Sequence, residues 1–192
     1  MSESAIEIKV YDRLPGDLRE AARSLARASF KDPGETEEQR AERHDRFASQ
    51  DDVVKRILAL KDGEIVGLAV AYRRAIRFAG WPVTLGGIGD VCVAPEYRRQ
   101  GLATRLTLAA MDELKWAGCD VAYLGALLEK PGLTELYERA GFRRLEYGHT
   151  YLGASGRRYL DHDGMIAPLL SHQFFAAILR QPEPFDIGVG NW

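Results

Sequence analysis

The stretch Asp90-Val91-Cys92-Val93-Ala94-Pro95-Glu96-Tyr97-Arg98-Arg99-Gln100-Gly101-Leu102-Ala103-Thr104 constrains this chain more than any other. Val91, Cys92 and Val93 favour an extended backbone. Pro95 ends the strand, because proline cannot donate to a sheet ladder. The residues from Arg98 to Ala103 then place unpaired N–H groups at a helix N-terminus, where the positive end of the helix dipole also lies. That combination binds phosphate. Gly101 and Ala103 carry almost no side chain, so a pyrophosphate can approach the main chain. A nucleotide-like cofactor is expected.

The pattern is not that of a dinucleotide fold, which needs G-x-G-x-x-G after its strand and an acidic residue about 20 positions on. Nor does it end in the Gly-Lys-Ser/Thr of a P-loop. With 192 residues the chain has enough length for a real core, and one domain is expected over 1–192, with 171–192 as a C-terminal extension. A formal charge of −2 gives no general attraction to nucleic acid or anionic membrane. Apolar runs stay short of the roughly 20 residues that a membrane span requires. Met1-Ser2-Glu3-Ser4 lacks a signal-peptide pattern, and the two cysteines, Cys92 and Cys119, lie in apolar segments as buried thiols would. A cytoplasmic location is expected, with neither nucleic acid nor membrane as partner. Pairing of two copies into a homodimer stays open.

Hydrophobic periodicity divides the rest. Ile6, Ile8 and Val10 alternate as in a strand. Pro15 and Asp17 open a helix towards Phe30, with Leu18, Ala22, Leu25 and Ala26 on one face. Glu35 to Phe47 reads as a charged, exposed helix after a loop at Lys31-Asp32-Pro33-Gly34. Strands follow over Val53–Leu60, Ile65–Phe78 and up to Val93, with a hairpin turn at Asp62-Gly63. Leu102, Leu106, Ala110 and Leu114 repeat at helical spacing, and Gly118 stops that helix. Val121–Leu127 reads as a buried strand and Leu133–Ala140 as a short helix. Phe142–Leu152 and Arg157–Leu170 read as strands, the second with a turn at Asp163-Gly164. Phe174 to Leu179 form a short amphipathic segment, and Pro182, Pro184, Gly188 and Gly190 mark an irregular tail. The order β-α-α-β-β-β-α-β-α-β-β is a mixed sheet flanked by helices, an α/β (α+β mixed sheet) class.

Arg98-Arg99-Gln100-Gly101-Leu102-Ala103 after Val93-Ala94-Pro95 resembles motif A of the GNAT superfamily, the acyl-CoA-dependent N-acyltransferases. Tyr137-Glu138-Arg139-Ala140-Gly141-Phe142 resembles their motif B, in the right order and separated by one helix and one strand. The resemblance covers about residues 5 to 170 and implies the GNAT fold. It further implies acetyl-CoA as co-substrate, a small-molecule amine as acceptor and transfer by direct attack, without a metal. Val91, Cys92 and Val93 would then pair through N–H and C=O with the pantetheine arm. Arg98, Arg99, Gln100, Gly101, Leu102, Ala103 and Thr104 would hold the pyrophosphate.

Tyr137 is the expected general acid. A phenol of pKa ~10 is close in acidity to an alkyl thiol and can protonate the leaving thiolate. Asp90 is one candidate base, and the main-chain carboxylate of Trp192 another. The acceptor itself is the nucleophile, so Cys92 is expected to be a buried structural thiol. Within the superfamily, Arg73-Arg74, Gly125-Ala126-Leu127, Asp161-His162-Asp163-Gly164 and Gly190-Asn191-Trp192 are similar to the aminoglycoside 2′-N-acetyltransferase branch. A related branch is the nodulation-type N-acyltransferases. The tail Phe185 to Trp192 is then expected to fold back and line the acceptor site.

There are departures. The glutamate that such enzymes carry on the cofactor strand falls at Gly89, and the aspartate near their C-terminus at Gly190. Leu128-Glu129-Lys130-Pro131 stands where many members have an asparagine. A longer acyl-CoA, a peptide amine, or a non-catalytic acyl-CoA-binding regulatory role remain the alternatives. Asp32, Glu35, Glu37 and Glu38 could form an acidic mouth for a cationic substrate, or simply start a solvated helix. Asp161-His162-Asp163 lacks a second cluster that would suggest a metal, and His44, His149 and His172 look scattered.

Overall fold

The computed structural model describes residues 5–30, 34–47, 52–126 and 132–192. The expectations for the loop at 31–33 and for 127–131 lie outside these residues. Seven strands form one mixed sheet in the order β1 (Glu7–Tyr11), β2 (Val53–Lys61), β3 (Glu64–Phe78), β4 (Trp81–Val93), β5 (Val121–Gly125), β9 (Gly164–Pro168) and β6 (Arg143–Arg144). A second sheet of three strands has the order β10 (Phe185–Val189), β7 (His149–Leu152) and β8 (Arg158–Asp161). Helices α1 (Gly16–Phe30), α2 (Glu37–Arg46), α3 (Leu102–Trp116), α4 (Leu133–Arg139) and α5 (His172–Arg180) complete the fold. The class is the mixed α/β one that the sequence predicts.

Strand β2 turns into β3 at Asp62 and Gly63, both with positive φ, so the hairpin is the tight kind that matches strand twist. The apolar side chains alternate to two faces of the large sheet. On one face Leu106, Ala110 and Leu114 of α3 pack with Ile57, Ala59, Ile88 and Ala122, and α4 adds Tyr137. On the other face Ala22 of α1 and Ile178 of α5 pack with Leu58, Val70, Tyr72 and Leu85. Helix α2 buries no residue and stands on a capping box, Thr36 with Gln39.

Three expectations need correction. The long strands predicted over 142–152 and 157–170 are four short ones, and Asp163-Gly164 is not a hairpin turn. The chain passes there from β8 in the small sheet to β9 in the large one. Gly164 is needed for packing: a Cβ on it would lie 2.6 Å from the His149 Nδ1. The tail is not irregular either. Phe185–Val189 is a strand parallel to β7, and Phe185 and Ile187 point into the core.

Candidate active site

Strands β4 and β5 run parallel but pair at three positions only, Leu85 with Val121, Gly86 with Ala122 and Gly87 with Tyr123. Beyond Gly87 they part. From Gly89 to Val93, β4 keeps its ladder to β3, and its other edge has no main-chain partner among the described residues. An added extended chain could pair with that edge. A bulge in the pairing with β3 falls here: Gly89 faces Val70 and Cys92 faces Leu68. Asp90 takes up the extra length in the left-handed region, with φ of 53°.

The open edge leads to the predicted phosphate turn. A single 3₁₀ turn at Pro95–Tyr97 is followed by Arg99 and Gly101 with φ of 60° and 74°, and Gly101 caps α3. The N–H groups of Leu102, Ala103 and Thr104 start the helix without intrahelical partners. No atom lies within 4 Å of a Cβ built on Gly101. A cavity of about 220 Å³ sits over this turn, lined among others by Val93, Arg98, Gly101, Ala103 and Leu136 of α4. Arg98 hydrogen-bonds back to the Val93 carbonyl at 2.9 Å, which ties the turn to the strand end. The sequence-predicted residues Val91 to Val93 and Arg98 to Thr104 thus form one continuous edge and cradle.

Tyr137 follows Leu136 on α4 and is 6% exposed, in the same apolar cluster as Val93, Leu102 and Ala126. Its ring meets Phe142 edge-on at 6.0 Å. Burial pushes its phenol up to about 12, so it stays protonated at neutral pH. Its hydroxyl makes no hydrogen bond with any described residue.

On the opposite face, a larger cavity of about 740 Å³ opens between α1 and strands β2, β3 and β4. Asp90 and Tyr72 stand in its wall, with the Tyr72 hydroxyl 3.5 Å from the Asp90 carboxylate. Solvent reaches Asp90 through the cavity, yet protein surrounds the carboxylate on most sides. That desolvation raises its pKa, against the opposing pull of the Tyr72 hydrogen bond and of Arg56. Leu14, Arg13, Arg19, Arg23 and Arg56 also line this space, a contribution that the sequence reading missed.

Trp192 stands behind Tyr72, and no residue of the tail is among those that line this cavity. The Trp192 ring stacks on Tyr72 at 5.6 Å, and the Arg74 guanidinium lies 3.9 Å over it. Arg74 is held by Asp52 at 2.6 Å and donates to the carbonyls of Ile187 and Gly190, which fastens the last residues to β3. Room for the indole comes from Gly87, where a Cβ would collide with the ring. At position 89 a Cβ would meet Tyr72 at 3.1 Å and the Trp192 carbonyl carbon at 3.2 Å. The absence of a glutamate at that position has a packing reason.

Beside Trp192 lies a buried polar chain. Asn191 Oδ1 accepts from the Trp192 N–H at 2.9 Å and from the Tyr123 hydroxyl at 3.0 Å. Tyr123 therefore receives the Nε2 hydrogen of His149, at 2.7 Å. His149 is fully buried, and desolvation lowers it to about 4. It is not isolated, as the sequence suggested: a ligand atom of His149, one of Asp161 and one of Asp163 lie within 4.8 Å of one another. Asp161 is engaged by Arg46 at 3.0 Å and by Tyr151 at 2.7 Å. Cys92 is buried and raised to about 11 by desolvation, the state of an unreactive thiol. Of the acidic mouth, Asp32 lies outside the described residues and Glu35 is taken by Arg43 at 2.7 Å.

Residues 11–145 match the model of the acetyltransferase (GNAT) domain. The chain belongs to the GNAT acetyltransferase family. This GNAT protein is 34% identical over 106 residues to N-alpha-acetyltransferase 30 of Schizosaccharomyces pombe, spanning 54% of this chain and 68% of that one. Its fold is similar to a CoA-bound GNAT family N-acetyltransferase of Escherichia coli, with TM-score 0.61, 18% identity and coverage of 98% and 93% of the two chains. It is also similar to the ribosomal-protein-S18-alanine N-acetyltransferase of Escherichia coli, with TM-score 0.56, 20% identity and coverage of 85% and 94%. No helix among the described residues is long and apolar enough to cross a membrane.

Proposed function

We propose that this protein transfers the acetyl group of acetyl-CoA to a primary amine of a small molecule by direct attack. One observation carries the proposal: the open edge of β4 joins the N-terminal cradle of α3 to a cavity on the other face of the sheet, with Asp90 in the wall of that cavity. The main chain of Val91 to Val93 holds the pantetheine as an added strand. Arg98 to Thr104 hold the pyrophosphate through N–H groups, helix dipole and guanidinium charge.

Acetyl-CoA supplies an acetyl thioester, and the amine nitrogen attacks its carbonyl carbon. Asp90 accepts the proton that the amine loses, and the upward shift of its carboxyl makes it a better base than an ordinary aspartate. As the C–S bond breaks, Tyr137 gives its proton to the departing thiolate. Trp192 stacks on Tyr72 and so supports one wall of the acceptor site from behind. A second reading, in which the acceptor is the N-terminal amine of a peptide, is favoured by the likeness to N-alpha-acetyltransferase 30.

Gly101→Glu tests the cofactor half of the proposal. The new side chain would enter open space over the cradle and oppose the pyrophosphate charge, and φ of 74° adds strain. We expect at least a 100-fold loss of acetyl-CoA affinity by calorimetry in a variant whose circular dichroism is unchanged. Retained affinity would place the cofactor elsewhere.

A further inference from the structure

We propose that the cavity between α1 and strands β2 to β4 selects a primary amine that also carries an anionic group, a carboxylate or a phosphate. This rests on the reading of that cavity as the acceptor site. Four guanidinium groups line it, Arg13, Arg19, Arg23 and Arg56, against the two carboxylates of Asp12 and Asp90. The balance is more positive than that count. Asp12 is mostly exposed and is already paired with Lys55 at 2.7 Å. Asp90 faces Tyr72.

The arginines come from two sides. Arg19 and Arg23 are four residues apart on α1 and so share one face of the helix, while Arg56 projects from β2. Arg13 and Arg23 make no hydrogen bond or ion pair with any described residue. Arg19 gives one N–H to the Leu14 carbonyl at 3.2 Å, which leaves most of its fork for a ligand. Guanidinium forks match carboxylate and phosphate oxygens in a bidentate way. Leu68 and Val70 give the cavity an apolar floor beneath these groups.

A cavity of about 740 Å³ is in the usual range for small ligands, so amine and anion fit together in it. The anion would dock towards α1 and the amine towards Asp90. The charge pattern is the reverse of what a polycationic aminoglycoside requires. It also gives the acceptor a handle remote from the reacting nitrogen, which orients that nitrogen before attack.

The test uses matched amines and the full chain. Released thiol is followed with ethanolamine against O-phosphoethanolamine, and with tyramine against tyrosine. The anionic member of at least one pair should have a kcat/KM about 10-fold or more above its partner, carried mainly by KM and reduced by salt. The two pairs separate phosphate from carboxylate recognition. Arg23→Glu should abolish that preference and Arg23→Lys should restore most of it.

In parallel, calorimetry on the CoA-loaded protein measures O-phosphoethanolamine, tyrosine and their partners without the anionic group directly, with the phosphate cradle already filled. Anion-dependent binding without acetyl transfer would uphold the cavity's selectivity and sink the acetyltransferase reading. Acetyl transfer that favours the amines without the anionic group, or an Arg23→Glu variant that keeps the anion preference, would overturn the inference and spare that reading. Absence of anion-dependent binding to the CoA-loaded protein would also overturn it.

Discussion

At the scale of single residues, Tyr137 meets the requirements of the proton donor proposed for it. It is buried, neutral throughout the working pH range, and has no hydrogen-bond partner among the described residues. Tyr137→Phe removes only the hydroxyl. We expect kcat to fall about 10²-fold, the usual scale for lost general acid catalysis, with little change in acetyl-CoA affinity. Unchanged kcat with a raised KM for acetyl-CoA would make the hydroxyl a binding group instead. The positions of Gly101 at the start of α3 and of Tyr137 on α4 were legible in the sequence because each sits in a contiguous pattern with its own local conformation. The arginine-lined cavity was not. Its walls come from Arg13, Arg23 and Arg56, which meet only after α1 has packed over the sheet, and no local spacing encodes that meeting. The same holds for His149, Tyr123 and Asn191.

Among the elements, β4 shows most clearly what periodicity reveals and what it hides. Its existence and its exit into the cradle follow from apolar content, Pro95 and Gly101. Its parting from β5 after Gly87 does not, because loss of pairing leaves no trace in side-chain alternation. Nor could apolar runs show that β8 and β9 belong to different sheets, since a strand that changes sheet stays apolar throughout. The parting has a measurable result. Edge amides of Gly89 to Val93 that do not face β3 lack a protein partner among the described residues and should exchange with solvent readily. Saturating CoA should slow them at least 10-fold in hydrogen exchange followed by NMR. Bound CoA that leaves these rates unchanged would rule out pantetheine pairing along this edge.

For the molecule as a whole, the chain His149–Tyr123–Asn191 ties β7, β5 and the last residues together, and one proton can strain it. His149 titrates near 4 in the fold against an ordinary 6.5, because burial disfavours its charged form. The unfolded chain therefore binds the proton first as pH falls. The contribution is complete above about pH 6.5 and is lost towards pH 4, about 3 kcal/mol in all. Asp90 and Asp163, raised by desolvation, act with the opposite sign, so the effect must be isolated with a variant. Urea unfolding of wild type and His149→Gln should show the difference between them shifting by about 3 kcal/mol from pH 7 to pH 4, at the expense of the wild type. A constant difference would mean that His149 accepts its proton without disturbing the fold.

Trp192 has one more consequence. Of the three indoles, Trp81 and Trp116 are 67% and 87% exposed, whereas Trp192 is 9% exposed, between the Tyr72 ring and the Arg74 guanidinium. Its emission therefore lies to the blue of the other two and is shielded from iodide. Tyr72, at van der Waals range from that indole, also forms part of the cavity wall beside Asp90. A ligand that shifts Tyr72 alters the one shielded fluorophore and leaves the exposed pair as an internal reference, so the protein holds an optical gauge of what enters the cavity beside Asp90.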